Sequence, residues 1–113
     1  MSYDLMQELQ QKMQKLDISV KQLRTSGAKY AEAERTYKIT LAKECLKMRD
    51  DGMAIGLIDK VCYGVQAVAD ARFDRDVTEA VYKANLESIN SLKLQMRIIE
   101  NQIQREWGQN GTS

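Results

Sequence analysis

The chain contains no proline and no histidine, one phenylalanine, one tryptophan and two cysteines in 113 residues. Without proline, nothing in the sequence interrupts a long helix, and abundant Gln, Glu, Lys, Leu, Met and Ala favour helix over sheet. Without histidine, the commonest metal ligand and the commonest general base are both missing. Cys45 and Cys62 are too few and too far apart in sequence for a zinc site. They read as buried thiols acting as small hydrophobes, with a redox pair as the alternative, which needs their α-carbons within about 7 Å. No apolar run approaches the roughly 18 residues of a membrane span. The polar start Met1, Ser2, Tyr3, Asp4 lacks the basic-then-apolar order of a secretion signal, so the expected location is cytoplasmic and no membrane partner is expected. Carboxylates are plentiful at Asp50, Asp51, Asp74, Asp76 and Glu79, yet no nucleophile–base pair, phosphate loop or metal triad accompanies them. The chain is therefore read as non-enzymatic, with no catalytic, cofactor-binding or metal-binding residue and no cofactor.

What the sequence does contain is periodicity. Met6, Leu9, Met13, Leu16, Val20, Leu23, Gly27, Tyr30, Glu34, Tyr37 and Leu41 advance by threes and fours, which places them along one side of a helix. A second series runs Phe73, Val77, Ala80, Val81 and Ala84, then shifts to Leu86, Ile89, Leu92, Met96, Ile99 and Ile103. The shift predicts that the buried side of this second helix changes near Leu86. Met6–Met48 and Val65–Trp107 each span 43 residues. Equal arms with a brief connection predict an all-α fold: a long antiparallel helical hairpin with coiled-coil-like arms and a short helical apex. The expected single domain comprises arm one at 3–50, apex at 51–64, arm two at 65–107 and a frayed tail at 108–113. Pairing Met6 with Trp107 and Leu41 with Arg72 or Phe73 brings Tyr30 near Tyr82. Glu34 in the seam is expected to fix register or meet Lys83 or Tyr82. Gly27 costs about 1 kcal/mol against alanine in a helix, so a break or kink is expected around Thr25, Ser26 and Gly27. Ile98 beside Ile99 widens the apolar surface and points to homo-oligomerisation.

Gly52 sits where a left-handed cap would end the first arm, and Gly64 can cap a short helix over Leu57–Tyr63. The glycine spacing also resembles a helix-turn-helix. From Asp50 to Glu79, however, seven acids outnumber three bases, the reverse of what a phosphate-facing element needs. Between Lys12 and Arg49 the balance inverts, with ten bases to four acids. Lys15, Lys29 and Lys43 recur every 14 residues, as do Lys21, Arg35 and Arg49, and Arg24 is followed 14 residues on by Lys38. This spacing returns each set to one helix face outside the apolar seam. The set is either a solvated face, neutralised in part by neighbouring acids, or an electrostatic dock. The candidate partner-binding residues are Lys29, Arg35, Lys38, Lys43, Arg49, Lys60, Tyr63, Arg72 and Arg75.

Tyr37–Lys43, Phe73–Val77, Ala80–Lys83, Glu87–Lys93 and the closing Gln104, Arg105, Glu106, Trp107 resemble a family of small helical proteins from early, nonstructural genes of temperate phages of Gram-positive bacteria. The resemblance covers most of residues 30–107 and departs at the apex, where Cys62, Tyr63 and Gly64 replace a more charged turn. A small, charged, helical early phage protein without chemistry is expected to act in the host-cell cytoplasm by binding and modulating a host or phage protein of nucleic-acid metabolism or defence. An anti-CRISPR-type inhibitor and a recombination accessory protein are examples. The alternative is direct nucleic-acid binding through the helix-turn-helix-like apex or the basic stripe.

Overall fold

The computed structural model describes residues 2–111 and contains, among them, three α-helices, one 3-10 turn and no strand. Helix α1 spans Ser2–Asp50, α2 spans Ile55–Val61, a 3-10 turn covers Cys62–Gly64, and α3 spans Gln66–Gly111. No helix among the described residues is long and apolar enough to cross a membrane. The backbone of the expected tail is helical through Gly111, while Thr112 and Ser113 lie outside the described residues.

Helix α1 ends through its backbone. Gly52 has φ +86° and is the only described residue in the left-handed region. Its amide donates to the Arg49 carbonyl and the Met53 amide donates to the Met48 carbonyl, both at 3.0 Å. These bonds satisfy two of the carbonyls that the end of a helix leaves open. The chain restarts at Ala54, extended at φ −62°, ψ 142°, whose carbonyl accepts from the amides of Leu57 and Ile58 at 3.0 Å. Val65 is extended again, and its carbonyl accepts from the Ala69 amide at 2.8 Å, starting α3. The short helix thus begins and ends earlier than its glycines suggest, with Gly64 closing the 3-10 turn instead.

The chain divides into two compact units: residues up to Arg24 with those from Lys83 onward, and Thr25–Tyr82. In the first, Ile89, Leu92 and Ile99 are buried, with Leu5, Leu9, Leu16, Val20 and Leu23 half-buried. In the second, Tyr37, Val68 and Ala71 form a buried cluster on which Leu41 and Val65 pack. Here the tyrosines act as large apolar bodies. The Tyr30 and Tyr82 rings lie 5.8 Å apart at 33°, meeting as the sequence register requires.

Three expectations change. The helix does not break at Thr25–Gly27; α1 is one uninterrupted helix from Ser2 to Asp50. Its glycine serves packing, because a β-carbon at Gly27 would lie 3.2 Å from Tyr82 Cε1. Leu41, expected opposite Arg72 or Phe73, packs against the Tyr37, Val68 and Ala71 cluster, while Arg72 and Phe73 are both exposed. Finally, Phe73, Val77 and Val81 are exposed at 68%, 45% and 50%. The buried side of α3 in this unit is instead Val68, Ala71, Arg75, Thr78 and Tyr82. It continues into Ile89, Leu92 and Ile99 at helical spacing, so the predicted change of face near Leu86 does not occur. An exposed apolar stripe on α3 mimics the seam in sequence. Met6 and Met13 on α1 are likewise half-exposed, and Trp107, expected opposite Met6, is exposed.

Candidate protein-docking face

All nine residues singled out for partner binding lie in the Thr25–Tyr82 unit. The structure sorts them by what holds them. Arg35 donates to Glu32 at 2.8 Å, and Lys38 lies 3.8 Å from Glu34, both along α1. Arg72 stands over the Tyr63 ring at 5.8 Å, joining α3 to the 3-10 turn by a cation–π contact. Arg75 crosses to α1: its guanidinium lies 4.5 Å from the Tyr37 ring centre, and its Nε and Nη2 donate to Asp76 at 3.1 and 2.9 Å. The Asp76 hydrogen bond raises the Arg75 pKa, opposed by desolvation and aided by the charge of Asp76, by Tyr37 and by Glu34. Glu34 therefore feels Lys38 on its own helix and Arg75 across the pair. Arg75 is thus a structural residue, half-buried and occupied. Lys29, Lys43, Arg49 and Lys60 are exposed and, among the described residues, hold no ion pair.

The basic residues of α1 are not an isolated charge stripe. Arg35, Ile39, Ala42, Leu46 and Arg49 follow one another by steps of four and three, so they share one helix face. All five are exposed, Ile39 at 47% and Leu46 at 58%. Ile39 is two residues from buried Tyr37, about 200° around the helix, which places this face away from the α3 seam. Lys43 is four residues after Ile39 and three before Leu46, so it borders the same patch. Charge alone does not mark Ile39 and Leu46. Their seven-residue separation, out of phase with Tyr37 and Leu41, is the signal that locates them.

On α3 the exposed stripe Phe73, Val77, Val81 is bordered by Asp70, Asp74 and Asp76, so that face carries the opposite sign. These acids stand on the first turns of the helix that would have to enter a DNA groove, where they repel phosphate. The other unit has an open groove of about 450 Å³, lined by Lys12, Lys15, Ile18 and Ser19 of α1 and by Ser88, Ser91, Leu92 and Gln95 of α3. Gln95 donates to Ser91 at 3.0 Å within it.

Among the described residues no cluster of histidine, cysteine, aspartate or glutamate is arranged to hold a metal ion. No family model matches the chain, and neither a curated protein nor a solved structure matches it.

Proposed function

We propose that the chain is a non-enzymatic binding protein, built as a helical hairpin, that docks the outer face of α1 onto an acidic, partly apolar protein surface. The observation that carries this reading is the exposed series Arg35, Ile39, Ala42, Leu46, Arg49, in which aliphatic side chains are flanked by cations at both ends. Apolar side chains supply the affinity of such a face, and bordering cations supply steering and partner choice. Among the described residues Lys43 and Arg49 hold no ion pair, so an incoming carboxylate displaces no partner there. The phage-type resemblance narrows the partner to a host or phage protein of nucleic-acid metabolism or defence, which the chain inhibits or assists.

The test compares the native chain with an Ile39→Asp/Leu46→Asp variant, each immobilised and exposed to lysate of a Gram-positive host. Both changes are at exposed positions, so the variant keeps its helicity by circular dichroism. The expected outcome is an acidic protein retained by the native chain, at least about tenfold depleted on the variant, and released as salt rises past about 0.5 M. Equal capture by the two chains, or recovery of nucleic acid in place of protein, overturns the proposal. Light scattering on the free chain tests the remaining occupant, a second copy offering its acidic α3 stripe: a dimer disrupted by the same variant assigns the face to self-association and replaces this reading.

A further inference from the structure

The only two cysteines of the chain meet. Tyr37 packs on Val68 and Ala71, and Leu41 and Val65 pack against that cluster. One helical turn further along α1 from Leu41 is Cys45, and three residues before Val65 is Cys62. The antiparallel ladder therefore brings the two to the same level, next to the Gly52 turn, near enough for Cys62 to act on the Cys45 thiol. Both are reduced, Cys62 fully buried and Cys45 partly exposed. The Cys62 backbone is fixed on both sides: its amide donates to the Ile58 carbonyl, and its carbonyl accepts from the Val65 amide at 3.3 Å.

We infer that Cys45 and Cys62 are a dithiol modification site that a low-molecular-weight disulfide oxidises reversibly to an internal disulfide, tying the last turns of α1 to the 3-10 turn. The reaction proceeds by two exchanges. Cys45, the accessible sulfur, loses its proton to solvent and attacks one sulfur of the oxidant. The oxidant's S–S bond breaks, and the departing thiolate takes the electron pair and then a proton. Cys62 next gives up its proton and attacks the Cys45 sulfur, forming the internal S–S bond and expelling the second thiolate, which is protonated in turn. Two protein thiols are oxidised and one disulfide is reduced to two thiols. Partial burial, the hydrogen bond to Cys62 and the nearby Cys62 and Asp59 charges push the Cys45 thiol above its ordinary range. A raised Cys45 thiol is a slower nucleophile, so oxidation is slow without excess oxidant.

The full chain is incubated with excess oxidised glutathione, and its intact mass is read after denaturation without reductant. The expected product is a monomer lighter by two hydrogens, without glutathione and closed to alkylation. Its melting midpoint is higher by about 5 °C or more, and added reductant reverses the shift. A Cys62→Ala chain is expected to stop at the glutathione adduct of Cys45, because it lacks the resolving thiol. A native chain that also stops at that adduct, crosslinks to a second copy, or remains fully open to alkylation overturns the inference.

Discussion

The two compact units bury the same two helices by different means. In the unit around Ile89, Leu92 and Ile99 the core is aliphatic and its described aromatics, Tyr3 and Trp107, are exposed. Serines and lysines, with Ile18 and Leu92, line an open groove there. In the Thr25–Tyr82 unit the seam is built from three tyrosines, each matched to something shaped for it. Tyr82 fits over Gly27 and against Tyr30, and Tyr37 lies between Val68, Ala71 and the Arg75 guanidinium. A pair of helices offers only one narrow stripe per helix for burial, so stability depends on how completely that stripe is filled. The aromatic unit fills it with few large groups and leaves its outer faces open to carry other apolar residues. The aliphatic unit carries an open groove beside it.

The sharpest way to break this contrast is at Tyr37. Replacing it with alanine removes the ring from the Val68 and Ala71 cluster, and a loss of about 3–5 kcal/mol is expected in chemical denaturation. A loss below about 1 kcal/mol would mean that the tyrosines do not anchor this unit. Next in size is Gly52→Ala. A β-carbon there meets nothing within 4 Å, so the expected cost, about 1 kcal/mol, is that of the left-handed backbone alone. A thermal melt of the variant measures it, and an unchanged midpoint would remove the glycine cap from the account of the turn. The smallest effect tests the open groove: Ser19→Leu, which adds aliphatic surface to its wall, is expected to stabilise by about 0.5–1 kcal/mol. If the variant instead loses stability, the space is already shaped around Ser19 and the two units are equally well packed.

Much of this was legible in the sequence, but not all of the right residues. The absence of proline, the threes-and-fours spacing and Gly52 correctly give helices and the end of α1. Tyr30 and Tyr82 meet as the matched arm lengths require. The stripe Phe73, Val77, Val81 has the same periodicity as a seam and contains the only phenylalanine, yet it is exposed. Hydropathy ranks those residues above Ala71, Arg75 and Thr78, while the fold prefers the latter because a tyrosine on the facing helix needs small side chains and a flat cation beside it. The candidate face was half legible. Its cations stand out by their 14-residue recurrence, but Ile39 and Leu46 become part of it only once Tyr37 and Leu41 are known to face the other way.

The sequence by itself determined that the chain is helical, where the first helix stops, and that its two halves carry opposite charge, because these follow from local backbone preference and from composition. Tertiary structure alone decided which of two equally periodic apolar stripes on each helix is buried and that Cys45 and Cys62 are neighbours. Periodicity fixes which residues share a side, whereas the choice of side depends on shape fit with another segment: a ring over a glycine, or a tyrosine against an alanine.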